Sequence, residues 1–404
     1  MKSFNRAFND IVKGMDQHPV DLVALLDALP TPVRLLGLGE PMHGSEEIAR
    51  ARNAVVVDLV LRGGFRSIAV ESDFHRAPLV NDYLVGADLD PDTVLDDGFT
   101  HPYVHRLAAT RELLDRLREI NRTLDTPVRF YGFDGPMEMA AAPSPREHLL
   151  PLRAALADHA ENIVGEADLV DLLGEDSRWT DERAMYEADR GVGRTVGAEK
   201  LRLLTDDLCA VLDACAPALA EDEAWRLQSD ARTAVGLLRY HAIMATDTPD
   251  RFGRLSAQRD VMMGHNLLAI ADREAARGGT VVLSHNLHLQ RGASEMRMGP
   301  HPVRWFSAGA QAAARLGDAY RFVATAIGGA PAHGLAVPEP GTVEGELYRT
   351  QGAPAGLYAG AELVRRLGDA TARQDRDERG AYFPLEPVRL SETDGVLFLR
   401  EVRA

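Results

Sequence analysis

Six side chains able to hold or move a proton sit at one kind of place in this sequence, at or just past the end of a short apolar run. Glu40 closes VRLLGLGE (33–40) and His43 follows three residues later. Glu71 ends RSIAVES (66–72), Asp134 ends PVRFYGFD (127–134), and His285 ends TVVLSHN (280–286), with His288 three residues further on. These residue types suit two mechanisms. A histidine held by a carboxylate can take a proton from water while an arginine or a second histidine steadies the oxyanion that forms. The same histidines and carboxylates could instead bind a divalent metal that activates the water. The H-x-x-H spacing of His285 and His288 fits either, because a metal site is defined by how three or more ligands converge.

The four runs are rich in Val, Ile, Leu and Phe and bounded by Gly or Pro, which predicts buried strands. Between the first two lies EEIARARNAVVVDLVLRGG, opened by acids and closed by Gly63 and Gly64, which predicts a helix. RLAATRELLDRLREINR (106–122) reads as another. Strand, helix, strand at this spacing predicts an α/β fold with a mainly parallel central sheet flanked by helices. In such a sheet the carboxyl ends of the strands converge on one crevice, where ligands bind. Between residues 145 and 277 the pattern turns helical, so the expected organisation is a core in two parts, 1–144 and 278–404, split by a large helical insertion. AYRFVATAI (319–327) continues the sheet, and PVRL and GVLFLREV near the end are read as further strands.

Arginines mark the same crevice. With Ser45 as N-cap, the buried stripe of the first helix runs Ile48, Arg52, Val55, Val56, Leu59, and Arg50 falls on the opposite, solvated face. A guanidinium on a buried stripe needs a carboxylate or a ligand anion. For Arg52 that means a salt bridge to Glu40 or Glu71, or a part in holding an oxyanion. Arg259 shares a face with Met263, Leu267 and Ile270, and a structural ion pair is the better reading there. The other histidines, including His75, His101, His105, His241, His265, His301 and His333, show no paired spacing and are read as ordinary surface or core residues.

Composition narrows the partners. A formal net charge of -16 over 404 residues argues against nucleic acid or an anionic membrane. The N-terminal stretch has no apolar segment of a targeting signal and no run approaches a membrane span, so a cytoplasmic protein is expected. Cys209 and Cys215, six apart in a helical stretch, are expected to be reduced. Neither a G-x-S-x-G elbow nor a phosphate-binding glycine loop is present, which disfavours serine hydrolases and nucleotide binding.

The stretches LGLGEPMHGSEEIARAR, IAVESD, FYGFDGP, QRDVMMGHN, VVLSHNLHLQ and RMG (297–299), in this order over residues 33 to 300, resemble the erythromycin esterase family, which includes succinoglycan biosynthesis-type proteins. The resemblance implies an α/β core with a helical part and a cleft for a polyketide lactone or other bulky ester. By position it makes His43 the general base and Glu40 and Glu71 the carboxylates that orient it. Arg52 becomes an active-site arginine, and His285 and His288 the histidines that bind or polarise the ester. Asp134, Asn286 and Arg259 would support that set or touch substrate. Two segments depart from the family pattern: HPYVHRLAAT, where relatives carry a tryptophan, and GASEMRMGPHPVRWFSAG. Both are expected on the substrate side of the cleft, so they bear on substrate choice.

The expected activity is therefore a non-serine carboxylic ester hydrolase acting on a small-molecule lactone or ester through His-activated water. It would need no cofactor, although a divalent metal is compatible with the residues. The alternative is a biosynthetic tailoring enzyme, such as a cyclase, dehydratase or acyl transferase, that uses the same groups without net hydrolysis. A third reading, a protein that only sequesters a ligand, fits poorly with so many ionisable groups and with 6% aromatic residues.

Overall fold

The computed structural model describes residues 21–101, 104, 106–137, 141–367, 369–375 and 382–403. The chain forms two compact units. One comprises Met1–Phe133, Leu267–Ser294 and Phe306–Ala404, the other Asp134–Asn266 and Glu295–Trp305.

In the first unit, β1 (Leu35–Glu40), β2 (Ser67–Asp73), β3 (Arg129–Asp134) and β4 (Thr280–His285) are the four strands expected from the apolar runs. β5 (Ala293–Met298) and β6 (His301–Phe306) pair as a separate two-stranded sheet. β7 (Tyr320–Gly329), β8 (Ala355–Ala359) and β9 (Gly395–Glu401) complete the main sheet, whose order is β3-β2-β4-β1-β7-β9-β8. The β1–β4, β1–β7, β2–β4 and β7–β9 pairs are parallel, and the edge pair β8–β9 is antiparallel. This is the α/β architecture with a mainly parallel sheet. β1, β2 and β4 are buried at every position, as strands covered on both faces must be, which is why their sequences are apolar runs rather than alternations.

Helix α1 (Glu46–Leu61) follows β1 through a turn at Gly44, whose φ of 81° is left-handed backbone that favours glycine. Ser45 caps it by accepting from the Ile48 amide, and Glu46 and Glu47 meet the positive end of its dipole. Ile48, Arg52, Val55, Val56 and Leu59 are all buried, so the 3.6-residue period placed the stripe correctly. Arg50 is not simply solvated. Its Nε and Nη2 donate to both oxygens of Glu112, at 2.9 and 3.0 Å, on helix α2 (Ala108–Asn121).

The second unit is built around α3 (Val196–Cys215) and α4 (Glu221–Met244), with α5 (Arg251–Glu274) beginning in its sequence range. A core of Leu149, Leu152, Leu201, Leu208 and Leu238 fills it. Cys209 and Cys215 are free thiols, half-buried on α3.

One sequence expectation fails here, and one strand of the main sheet went unread. PVRL is not a strand but part of a 3-10 helix, Pro387–Glu392, because Pro387 sits in its first turn where a missing N–H costs nothing. The strand β8, AGLYA, has too few large side chains to stand out. Among the described residues no helix is long and apolar enough to cross a membrane.

Candidate active site

The site lies in the first unit and starts from strand register. β1 and β4 are aligned so that Glu40 is the direct partner of His285. β2 and β4 are aligned with Val70 opposite Leu283, so Glu71, the next residue of β2, comes beside Ser284. Three neighbouring parallel strands thus deliver Glu40, Glu71 and His285 to one carboxyl edge.

Glu40 is 7% exposed and divides its two oxygens between two partners. Oε1 lies 2.7 Å from His43 Nδ1, and Oε2 accepts from Arg52 Nη2 in a close ion pair. Burial alone would raise the Glu40 carboxyl, but the Arg52 charge and the His43 hydrogen bond outweigh it and hold the group below the usual carboxylate range. An ionised carboxylate can only accept, so the Nδ1 of His43 carries the proton in this bond and the ring titrates at Nε2. For His43 itself, burial works to lower the pKa, but the hydrogen bond it donates to Glu40 and the charges of Glu71 and Glu40 raise it above the ordinary histidine value.

Glu71 is held from the other side. Its Oε2 accepts the Ser284 hydroxyl at 2.6 Å and the His285 amide at 3.1 Å, while Oε1 lies 3.6 Å from His288 Nε2. Ser284 is a residue the sequence reading passed over. The only signal for it is its place beside a strand-end histidine.

His285 opens α6 (Asn286–Leu289), and its Nδ1 accepts the Leu287 amide at 3.2 Å. Burial, joined by the charges of His43 and His288, pushes this ring down to about 3, so it is neutral in ordinary buffers. A neutral ring that accepts at Nδ1 carries its hydrogen at Nε2. That Nε2 is buried and has no hydrogen-bond partner among the described residues. The His285 and His43 rings are 5.2 Å apart. The pair therefore sets a proton acceptor beside a fixed neutral donor.

His101 was read as ordinary, yet its ring lies 5.5 Å from that of His43. It lines, with Glu40, His43, Arg52, Glu71 and Ser284, a cavity of about 40 Å³, room for roughly three waters. It comes from a loop, which periodicity cannot place.

Asn286 turns its amide toward β7. Its amide nitrogen donates to the Thr325 carbonyl at 2.8 Å and its oxygen accepts the Thr325 amide at 3.2 Å, which ties α6 to β7. Gly39 makes room for it, since a Cβ there would fall 2.1 Å from Asn286 Oδ1. Arg259 and Asp134 pair with each other, Nε donating to Oδ2 at 3.1 Å, within the second unit's residues. That is the structural ion pair read from the helix face. Asp134 also accepts the Gly135 amide at 2.8 Å.

The fold is an α/β one, with a histidine–carboxylate–arginine cluster at the carboxyl edge of a parallel sheet. The profile of the erythromycin esterase family matches residues 60–402, and the chain belongs to that family. Solved structures share the fold. A protein from Bacillus cereus superposes with a TM-score of 0.70 at 17% identity, covering 98% of both chains. A histidine-to-asparagine variant of the erythromycin esterase EreC, in its open conformation, gives 0.66 at 19% identity over 94% of this chain and 93% of that one. A succinoglycan biosynthesis protein gives 0.62 at 15% identity over 100% and 98%.

Proposed function

We propose that this chain hydrolyses a macrolactone or another bulky carboxylic ester with water activated by His43. Family membership supports a hydrolase acting on esters, and the finer reading rests on one observation. His43, tied through Nδ1 to an ionised Glu40 at 2.7 Å, stands beside a neutral His285 whose Nε2–H has no partner among the described residues.

In this reading His43 Nε2 removes a proton from water as its oxygen attacks the ester carbonyl. The imidazolium that forms is stabilised by Glu40 and by the nearby charge of Glu71, both of which favour its protonated state. His285 Nε2–H donates to the oxyanion, and its neutrality matters because a donor that gave up its proton could not hold the charge. Arg52 acts through Glu40, keeping that carboxylate ionised and in place. His288, beside Glu71, is the second group available to the ester oxygen. The imidazolium then returns its proton to the departing alkoxide. For a lactone both products remain in one molecule.

Replacing His43 with Asn and measuring turnover over a panel of lactones and acyclic esters tests this reading. Activity that survives the substitution rules out His43 as the base.

A further inference from the structure

The mechanism leaves unexplained why a segment from the far end of the chain is tied to the turn after Glu40. Phe383 donates its amide to the Pro41 carbonyl at 2.9 Å, which brings residues separated by most of the sequence into direct contact. Its ring meets His285 edge-on, with centroids 5.1 Å apart and planes at 81°. His43 lies on a second approach to the same imidazole, at 5.2 Å. Phe383, like Pro384 beside it, is only part-buried, between the buried Tyr382 and Leu385.

Those neighbours are anchored. Tyr382 is fully buried, and its hydroxyl donates to Glu344 Oε1 at 3.0 Å; the Leu385 amide donates to the same oxygen at 2.8 Å. Glu344 is itself fully buried on α7 (Val343–Thr350). One carboxyl oxygen thus clamps the residues on both sides of Phe383. The Arg373 guanidinium lies 5.3 Å from the Tyr382 ring and donates to the Ala336 carbonyl at 2.6 Å. A partly exposed aromatic residue on a segment fixed this firmly is a surface for something to pack on, because no packing need of the core keeps it exposed.

We propose that Phe383 is the substrate-facing apolar wall of this site and a specificity-determining residue. It takes the bulky hydrocarbon part of an ester whose carbonyl lies at His285, and Glu344 positions it. This deepens the hydrolytic reading and rests on it. The substrate class it names is an ester with a large apolar or cyclic group next to the scissile carbonyl, since only such a group covers the free part of a ring that already meets His285 edge-on. The wall comes from residue 383, outside the segments whose spacing marks the catalytic set, so the chemistry and the choice of substrate are carried by separate parts of the chain.

The test compares wild type, Phe383→Ala and Phe383→Leu on ethyl acetate and on a macrocyclic lactone, reading kcat and KM separately and thermal unfolding alongside. Losing a phenyl ring's contact is worth on the order of ten- to a hundredfold. The expected result is a rise of that size in KM for the lactone in Phe383→Ala, partial recovery in Phe383→Leu, and ethyl acetate kinetics within about twofold of wild type. Equal losses on both esters would mean that Phe383 only positions His285, and would overturn the proposal. So would unchanged lactone kinetics, or a wild type that turns over ethyl acetate but no lactone. A wild type that turns over neither ester would overturn the hydrolytic reading, and this one with it.

Discussion

Glu40 and His285 are direct partners in the register of two adjacent parallel strands, β1 and β4, at the last residue of each. That one alignment sets the ionised carboxylate that holds His43 beside the neutral imidazole that follows it, so the geometry of the site is inherited from backbone hydrogen bonding. Substituting His43, which lies past the end of β1, should therefore separate chemistry from folding.

His43 is the clearest case. General-base assistance is worth about 10²–10⁴-fold, and a quarter of the His43 side chain is exposed, at 25%. His43→Ala should lose activity by that factor with a melting temperature within a few degrees of wild type. A large drop in melting temperature would make His43 a structural residue.

Glu40→Gln should damage both properties. The substitution leaves the 8%-exposed Arg52 guanidinium without its counter-charge. Breaking a buried pair from one side costs about 3–5 kcal/mol, which denaturant titration would report as a lower midpoint. A variant as stable as wild type would show that Arg52 draws its compensation from elsewhere.

The pH profile follows from the direction of the His43 shift. A base must be neutral to accept a proton, so kcat/KM should climb with pH through a pKa above the ordinary 6.5. In Glu40→Gln the hydrogen bond and charge that raise it are weakened, and the rising limb should move to lower pH. A limb that stays in place would detach the titration from Glu40.

Acid should unfold the protein through histidines that stay neutral when folded. His285 is pushed down to about 3 and His241, buried and donating from Nε2 to the Pro143 carbonyl at 3.0 Å, to about 4. Both folded values lie below the unfolded 6.5, so the stability they contribute is present above 6.5. It is lost as pH falls from 6.5 toward about 4 and about 3. The loss runs up to about 1.4 kcal/mol per pH unit for each group. His43, raised on folding, has the opposite sign and offsets part of this below 6.5. His241→Gln should flatten the fall in melting temperature between neutral pH and pH 4, and an unchanged slope would contradict the assignment.

Gly39→Ala probes the support of the site. The added Cβ collides with Asn286 Oδ1 at 2.1 Å and must dislodge the clamp on Thr325 that fixes the turn after His285. Misplacing a reacting group by about 1 Å costs on the order of 10²-fold, so kcat/KM should fall steeply. Activity near wild type would show that the turn holds without Asn286.

Much of this was legible before the fold was known, for definable reasons. Apolar runs end where a parallel sheet ends, so Glu40, Glu71 and His285 announced themselves by position, and Arg52 by its place on a buried helical stripe. His101 and Phe383 did not, because loops have no period that places a side chain. Ser284 was hidden by its neighbour, since only the β2–β4 register puts it against Glu71. Asn286 was expected to support the set or touch substrate, and its amide bonds the Thr325 backbone, a partner that only the fold brings near. Pro387 stood at the head of an apolar stretch that reads as a strand, and its ring instead started a 3-10 turn.

The central claim is that His43 delivers water to an ester without a metal. Mass spectrometry of purified protein incubated with macrolide lactones and simpler esters, with and without EDTA and beside His43→Ala, tests it most directly. A product heavier by one water, formed equally with EDTA and missing with the variant, is the result this account predicts. A product of unchanged or smaller mass would place the same residues in a cyclisation or dehydration, and loss of the product with EDTA would turn the histidines into metal ligands. Either would contradict it.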